Sequence, residues 1–255
     1  MTVLGILQAR MSSRRLPGKV LQPILGAPML LRQIERIRRA RRLDGLVVAT
    51  STAPEDDALA QLCDAHGVAC HRGPLDDVLT RVWQAAAPYR PAHVVRLTGD
   101  CPLADPALID AVIARHLDSG ADYTSNCLPP TYPDGLDVEV VRIAALEAAW
   151  REAASPAERE HVTLFIHRRP QRFRCENLAA ARDLSHLRWT VDEPDDLELV
   201  RRIYQALYPA KPDFGSDDIL AWLDANPAWA RHNMRHPRNE GLARALASEA
   251  TGKDR

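Results

Sequence analysis

Along the first half of the chain, short apolar runs alternate with longer stretches whose apolar residues recur every three or four positions. Residues 3–7 form a continuous apolar run of strand length, and residues 28–40 carry Leu30, Ile34 and Ile37 on one helical face. Residues 46–50 read as a second strand. A helix follows from near Pro54, where proline presets φ and Glu55, Asp56 and Asp57 complement the helix dipole. Residues 68–71 read as a short strand, 75–87 as a helix and 93–98 as another strand. Asp105-Pro106 then caps a helix predicted to reach about Leu117. Such alternation builds a mostly parallel sheet with helices on both faces, so the predicted class is α/β.

The second half is less regular. Residues 123–126 fit a strand, and the alternation over 136–141 suits a hairpin arm. Ser155-Pro156-Ala157-Glu158 is a capping box that predicts a helix to about His167. Residues 187–191 read as a late strand, 194–207 as a helix and 218–223 as another. No internal repeat, low-complexity tract or long linker interrupts the pattern. The expectation is one domain over residues 1–246 and a disordered tail over 247–255.

Composition narrows the classes. A hydrophobic fraction of 46% with 26% charged residues belongs to a globular chain, and a net charge of −1 supplies no field to attract nucleic acid or an anionic membrane. The arginines at 32, 36, 38, 39, 41 and 42 read as a solvated helix face, because no aromatic residues accompany them for base stacking. Five cysteines, an odd number without a C-x-x-C pair, suggest reduced thiols and a cytoplasmic protein. No apolar run approaches the roughly 20 residues that span a bilayer.

Ligands of open parallel sheets bind beyond the carboxyl ends of the strands. Three segments are expected there. The loop from Gln8 to Lys19 holds Arg10, Ser12, Ser13, Arg14, Arg15 and Lys19, cations and hydroxyls of the kind a triphosphate needs, on a Pro-Gly turn; its plain alternative is a solvated basic turn, with Lys19 exposed. In Arg96-Leu97-Thr98-Gly99-Asp100-Cys101-Pro102 an aspartate follows a buried strand, and in Thr190-Val191-Asp192-Glu193-Pro194 another does so. Either alone is an ordinary turn or cap residue; together they can share one magnesium ion against phosphate oxygens. Asp134, Asp137 and Glu139 read either as acceptor contacts or a second metal contact, or as solvated hairpin carboxylates, and Glu160 and His161 as helix residues that only their motif raises toward a site.

Leu7-Gln8-Ala9-Arg10-Met11-Ser12-Ser13 with Arg15-Leu16-Pro17-Gly18-Lys19 resembles the opening of the SpsF-like cytidylyltransferases, relatives of the CMP-sialic acid and CMP-Kdo synthetases. Further matches are Arg72-Gly73-Pro74-Leu75-Asp76-Asp77-Val78-Leu79, Leu97-Thr98-Gly99-Asp100-Cys101-Pro102, Tyr132-Pro133-Asp134-Gly135-Leu136-Asp137-Val138-Glu139, Arg159-Glu160-His161-Val162-Thr163, Thr190-Val191-Asp192 and Arg238-Asn239-Glu240-Gly241. Two departures stand out: Arg14 replaces a small hydroxyl residue, and Leu242 a tyrosine.

The resemblance implies a Rossmann-like nucleotidyltransferase fold of three α/β/α layers with a small hairpin extension. It implies catalytic roles for Arg10, Lys19 and Asp100, and nucleotide contacts from Ala9, Arg10, Ser13, Arg15, Lys19, Arg72 and Thr98. It assigns Asp134, Asp137, Glu139, Glu160 and His161 to the acceptor, and Asp100 and Asp192 to Mg2+. The implied partners are CTP and a small acidic acceptor, with a homodimer left open. An acceptor oxygen would attack the α-phosphorus and pyrophosphate would leave. A glycosyltransferase of the same fold is the rival, but it ordinarily carries an Asp-x-Asp pair where this chain has Asp100 alone; a non-catalytic nucleotide-binding subunit is the second.

Overall fold

The computed structural model describes residues 2–251. Its strands are β1 (Val3–Gln8), β2 (Pro23–Ile24), β3 (Ala27–Pro28), β4 (Gly45–Ser51), β5 (Ala69–Gly73), β6 (His93–Thr98), β7 (Tyr123–Ser125), β8 (Glu139–Arg142) and β9 (Cys175–Asn177). The α-helices are α1 (Met29–Ile37), α2 (Asp57–Ala65), α3 (Val78–Ala86), α4 (Pro106–Ser119), α5 (Ile143–Glu152), α6 (Pro156–Glu160), α7 (Leu164–His167), α8 (Pro194–Leu207), α9 (Ser216–Ala225), α10 (Pro227–Ala230) and α11 (Glu240–Thr251).

Seven strands form one sheet in the order β5-β4-β1-β6-β8-β7-β9. β5, β4, β1 and β6 run parallel, with Gln8 opposite both Ala49 and Thr98, so their carboxyl ends finish level. The antiparallel member is β8, which pairs with β6 on one side and β7 on the other. Side chains alternate across β1 as the pleat requires: Val3 and Leu7 join one core with Leu30 and Ile34 of α1, Ile109 of α4 and Val200 of α8. Leu4 and Ile6 join the opposite core with Leu79 of α3, Leu146 of α5 and Phe165 of α7. Both faces of the sheet are therefore covered, giving the expected three layers.

Several boundaries differ from the sequence reading. The hairpin arm expected over 136–141 is β8, which begins at Glu139 and pairs antiparallel with the preceding strand β7 inside the main sheet; a separate small hairpin is β2–β3, just before α1. α3 starts at Val78 because Asp77 caps it, accepting the Thr80 amide at 2.9 Å. The capping box at Ser155 does start a helix, but α6 ends at Glu160, where Val162 takes a left-handed φ of 33° before α7. Residues 187–191 hold one isolated bridge, Asp134 to Arg188, instead of a strand. Their amides go elsewhere: those of Trp189 and Thr190 donate to the Asp134 carbonyl at 2.6 and 2.9 Å, and that of Val191 to the Asp100 carbonyl at 2.8 Å. Helix α11 continues through residues 247–251 of the expected tail and packs against α6; residues 252–255 lie outside the described residues.

The arginine-rich helix face is only partly solvated. Arg38, Arg41 and Arg42 are exposed. Arg36 is buried, donates to the Ala104 carbonyl at 2.8 Å and lies over the Phe214 ring, while Arg32 stacks on Tyr208. The aromatic partners come from distant sequence and serve the fold. No helix among the described residues is long and apolar enough to cross a membrane.

Candidate active site

The loop after β1 is held from below. Ala9 donates to the Ala49 carbonyl at 3.1 Å, and the Met11 amide to Asp56 at 2.7 Å. Asp56 is buried and also receives the Ser51 amide at 3.1 Å and the Ser51 hydroxyl, tying the loop to the end of β4. The Met11 carbonyl then accepts both the Ser13 and Gly18 amides at 2.9 Å, which closes the loop on itself. The loop after β6 touches it: a Cβ on Gly99 would stand 2.8 Å from that of Ala9, so glycine is what permits the contact.

Lys19 is the centre of the site and is buried, not exposed as its loop context suggested. Its ammonium donates to Asp100 at 3.1 Å, Asp192 at 2.8 Å and the Val191 carbonyl at 2.7 Å. Because both carboxylates sit on one nitrogen, these two oxygens lie within about 6 Å of each other, a span one hydrated divalent ion bridges. Burial works to raise the Asp100 carboxyl, but the Lys19 ammonium together with hydrogen bonds from Thr98 and Cys101 holds it down to about 2. Arg15 completes the cluster with contacts of 2.9 Å to Asp192, 3.4 Å to Glu193 and 2.7 Å to Glu240.

Asp192 owes its position to Arg188, which is 5% exposed and reaches Asp134 at 3.0 Å, Asp192 at 3.2 Å and Asp196 at 2.9 Å. Asp196 in turn accepts the Asp192 and Glu193 amides, both at 2.9 Å, and the Asn233 side chain at 2.7 Å. Gly135 lies flat against this segment. With φ at +104°, a Cβ there would come 2.3 Å from the Thr190 nitrogen.

The acidic residues read as either acceptor contacts or solvated hairpin carboxylates are not solvated. Asp134 pairs with Arg188, Asp137 with Arg238 and Glu139 with Arg96. Glu139 also accepts the Tyr123 hydroxyl at 2.6 Å and the Thr163 hydroxyl at 2.5 Å, while Arg96 donates to Gln8 at 2.9 Å. Burial would raise Glu139, but Arg96 and the two hydroxyls hold it below the ordinary carboxylate value. Burial pushes Asp137 up to about 7 even beside the Arg238 guanidinium.

Other residues singled out from sequence have different surroundings. Arg72 uses Nε and Nη2 on the Ser51 and Ala53 carbonyls and on Asp57, bracing the turn after β4. Thr98 meets the Cys101 sulfur at 3.2 Å, and the Ser13 hydroxyl accepts the Leu16 amide at 3.3 Å. Glu160 is exposed; His161 is half-buried, with Nε2 lacking a partner and burial lowering its pKa. Arg10 is half-buried and makes no hydrogen bond or ion pair among the described residues, which leaves its donors free. Arg188, Arg96 and Asp56 escaped the sequence reading. Arg188 and Arg96 each gave a signal, as lone cations inside the strand-like runs 187–191 and 93–98, while Asp56 stood only as a helix-start carboxylate. Arg238 and Glu240, quoted as a motif without a role, lie against the cleft through Asp137 and Arg15.

Comparison with known proteins agrees with this geometry. The cytidylyltransferase family model matches residues 4–208. The spore coat polysaccharide biosynthesis protein SpsF of Bacillus subtilis is 35% identical over 237 residues, covering 88% of this chain and 95% of that protein. The 3-deoxy-manno-octulosonate cytidylyltransferase of Anaeromyxobacter dehalogenans is 32% identical, covering 79% and 97%. Among solved structures, a cytidylyltransferase from Leptospira borgpetersenii superposes with a TM-score of 0.86 at 29% identity, over 91% of this chain and 98% of that one. The fold is shared with a CMP:2-keto-3-deoxy-manno-octonic acid synthetase complexed with CTP, at a TM-score of 0.60, 19% identity and coverage of 81% and 100%. A sheet whose carboxyl ends carry a basic loop and two converging aspartates, matched along nearly all its length by these relatives, places the chain in the cytidylyltransferase family, as a CTP-dependent nucleotidyltransferase.

Proposed function

We propose that this protein transfers CMP from CTP to a small acidic sugar or phosphorylated metabolite, releasing pyrophosphate, with Mg2+ held by Asp100 and Asp192. The reading places it in the cytoplasm, in surface polysaccharide synthesis, as the relatives named for spore coat polysaccharide and 3-deoxy-manno-octulosonate suggest. The observation that carries it is the meeting of Asp100, Asp192 and Lys19 at one point beyond β1 and β6. Two carboxylates brought within about 6 Å of each other suit a magnesium ion, which favours one or two carboxylates plus phosphate oxygens and water. A fold relative from Mycobacterium tuberculosis has been solved with manganese. The ion, when bound, would neutralise charge on the phosphates.

The chain's own residues do the rest. Arg10, with uncommitted donors, suits the phosphates, and the backbone of the 9–19 loop, braced by Asp56, can approach them without rearranging. An oxygen of the acceptor forms the new bond to the α-phosphorus as the bond to the bridging oxygen breaks, and pyrophosphate carries off the electron pair. Asp134, Asp137 and Glu139, each neutralised by an arginine, can receive sugar hydroxyls without repelling an acidic substrate.

Pyrophosphate release, measured with each nucleoside triphosphate across a panel of sugar acids and phosphorylated acceptors, tests the reading. Turnover is expected with CTP and at least one acidic acceptor. Equal turnover with UTP or GTP, or none with any acceptor, would count against it.

A further inference from the structure

We propose that Lys19 is an exchangeable cation: its ammonium holds the seat between Asp100 and Asp192 until a divalent ion arrives, and then moves to a nucleotide phosphate. The inference rests on the metal assignment above and extends it to how the resting site is kept. An ammonium has three N–H donors, and all three are spent, on Asp100, Asp192 and the Val191 carbonyl. None is left for a phosphate, so in this arrangement Lys19 cannot donate a hydrogen bond to the triphosphate. A divalent ion held at roughly 2.1 Å by both carboxylates would stand against the ammonium, because the second oxygen of Asp192 is already taken by Arg15 and Arg188, and two cations on one pair of carboxylates repel. Ion and ammonium are therefore alternatives.

The surroundings suit a side chain that moves while its backbone stays. The Lys19 amide donates to the Leu16 carbonyl at 3.2 Å, and Gln22 and Leu21 close the short helical turn around it. The segment bearing Asp192 is fixed independently, by Val191 on the Asp100 carbonyl and by Asp196 on the Asp192 amide. The carboxylates thus keep their places when the ammonium leaves. In the resting protein Lys19 also relieves the repulsion between them, so the pair stays assembled without an ion. Two consequences follow. The nucleotide-free protein should bind a divalent ion weakly, and ion and CTP should strengthen each other's binding, because the phosphate accepts the lysine that the ion displaces.

The test is a titration of Mn2+ into the protein with and without CTP, read from the electron paramagnetic resonance of the free ion, for wild type, Lys19→Met, Asp192→Asn and Lys19→Met with Asp192→Asn. Lys19→Met keeps the length of the side chain and removes the charge; Lys19→Gln serves in its place if thermal melts show the methionine variant unfolded. The lysine variant is expected to bind Mn2+ at least about tenfold more tightly than wild type, with the gain lost in the double variant and the CTP–Mn2+ coupling reduced. Unchanged or weaker Mn2+ affinity in the lysine variant overturns the exchange. If Asp192→Asn in the wild-type background still lowers Mn2+ binding in the presence of CTP, the metal assignment survives that failure; if it does not, the metal assignment is the part that falls.

Discussion

Replacing Arg188 with methionine removes a buried guanidinium from among three carboxylates while keeping most of the side chain's apolar volume. Asp192 would retain Lys19 and Arg15, and Asp196 would retain the Asp192 and Glu193 amides and Asn233. Asp134 loses most, since its other cation, Arg238, stands 3.9 Å away. Removing one partner of a buried ion pair costs roughly 3–5 kcal/mol, and the surviving contacts argue for the lower end, about 3 kcal/mol near neutral pH. For a chain of this size that corresponds to a melting temperature lower by roughly 6–12 °C. The pH dependence has a definite sign. Burial works to raise the Asp196 carboxyl, and Arg188 with the two amides holds it below its ordinary value. Wild-type stability from that carboxylate is present above the ordinary aspartate range and is lost as pH falls through the depressed value. Without Arg188 the carboxylates protonate more readily, so the deficit of the variant should shrink in acid. Urea unfolding of both proteins near pH 7 and near pH 4.5 measures this. A variant as stable as wild type near neutral pH, or one equally impaired at both, would refute the role given to Arg188.

Gly135→Ala should lower both stability and turnover, by about 2–4 kcal/mol in unfolding free energy, because the added Cβ meets the Thr190 backbone at a left-handed φ; unchanged urea midpoint and kcat would contradict it. Asp100→Asn and Asp192→Asn should each nearly abolish metal-dependent pyrophosphate release, and the double variant should lose little more, since both serve one ion; additive losses would separate them. Away from the site, His93 and His116 share a 2.9 Å contact, and His116 also meets the Thr124 hydroxyl at 3.0 Å. Burial lowers both, His116 to about 4, so their stabilising effect is full above the ordinary histidine pKa and is lost as pH falls toward 4. Thermal melts of His116→Gln should therefore show a shallower acid slope than wild type, the difference amounting to roughly 2 kcal/mol; parallel slopes would remove the pair from the account of acid unfolding.

The strands at 3–8, 45–51 and 93–98 were legible because each is an apolar run between turn signals, and burial on both faces of a parallel sheet demands such runs. Asp100 and Asp192 were legible as carboxylates after such runs, although 187–191 proved not to be a strand. Arg188 marks the difference: inside an apolar window it reads as an interruption, and its side chain is the cation that gathers Asp134, Asp192 and Asp196 beside this segment. Lys19 was misjudged as exposed because its neighbours in sequence are basic and polar, while the groups that bury its charge lie 81 and 173 residues away. Arg72 is a motif residue that also braces the local turn after β4 through its Nε and Nη2. Local pattern reveals which segments are buried; it carries no record of which distant charge will balance a loop.

The contacts of Arg238 and Glu240 bear on the order in which the protein is built. Arg15 and Glu240 are 225 residues apart, and Asp137 and Arg238 are separated by 101. During synthesis the first parallel strands can pair long before residues 237–240 leave the ribosome. A nascent chain of that length would carry a nearly finished sheet with its basic loop unclasped, Arg15 lacking one of its carboxylates and Asp137 its guanidinium. Closing so long a chain loop is slow and gains its enthalpy only at the end. The cleft is thus among the last parts of the described fold to be completed, since it needs residues 237–240 in place.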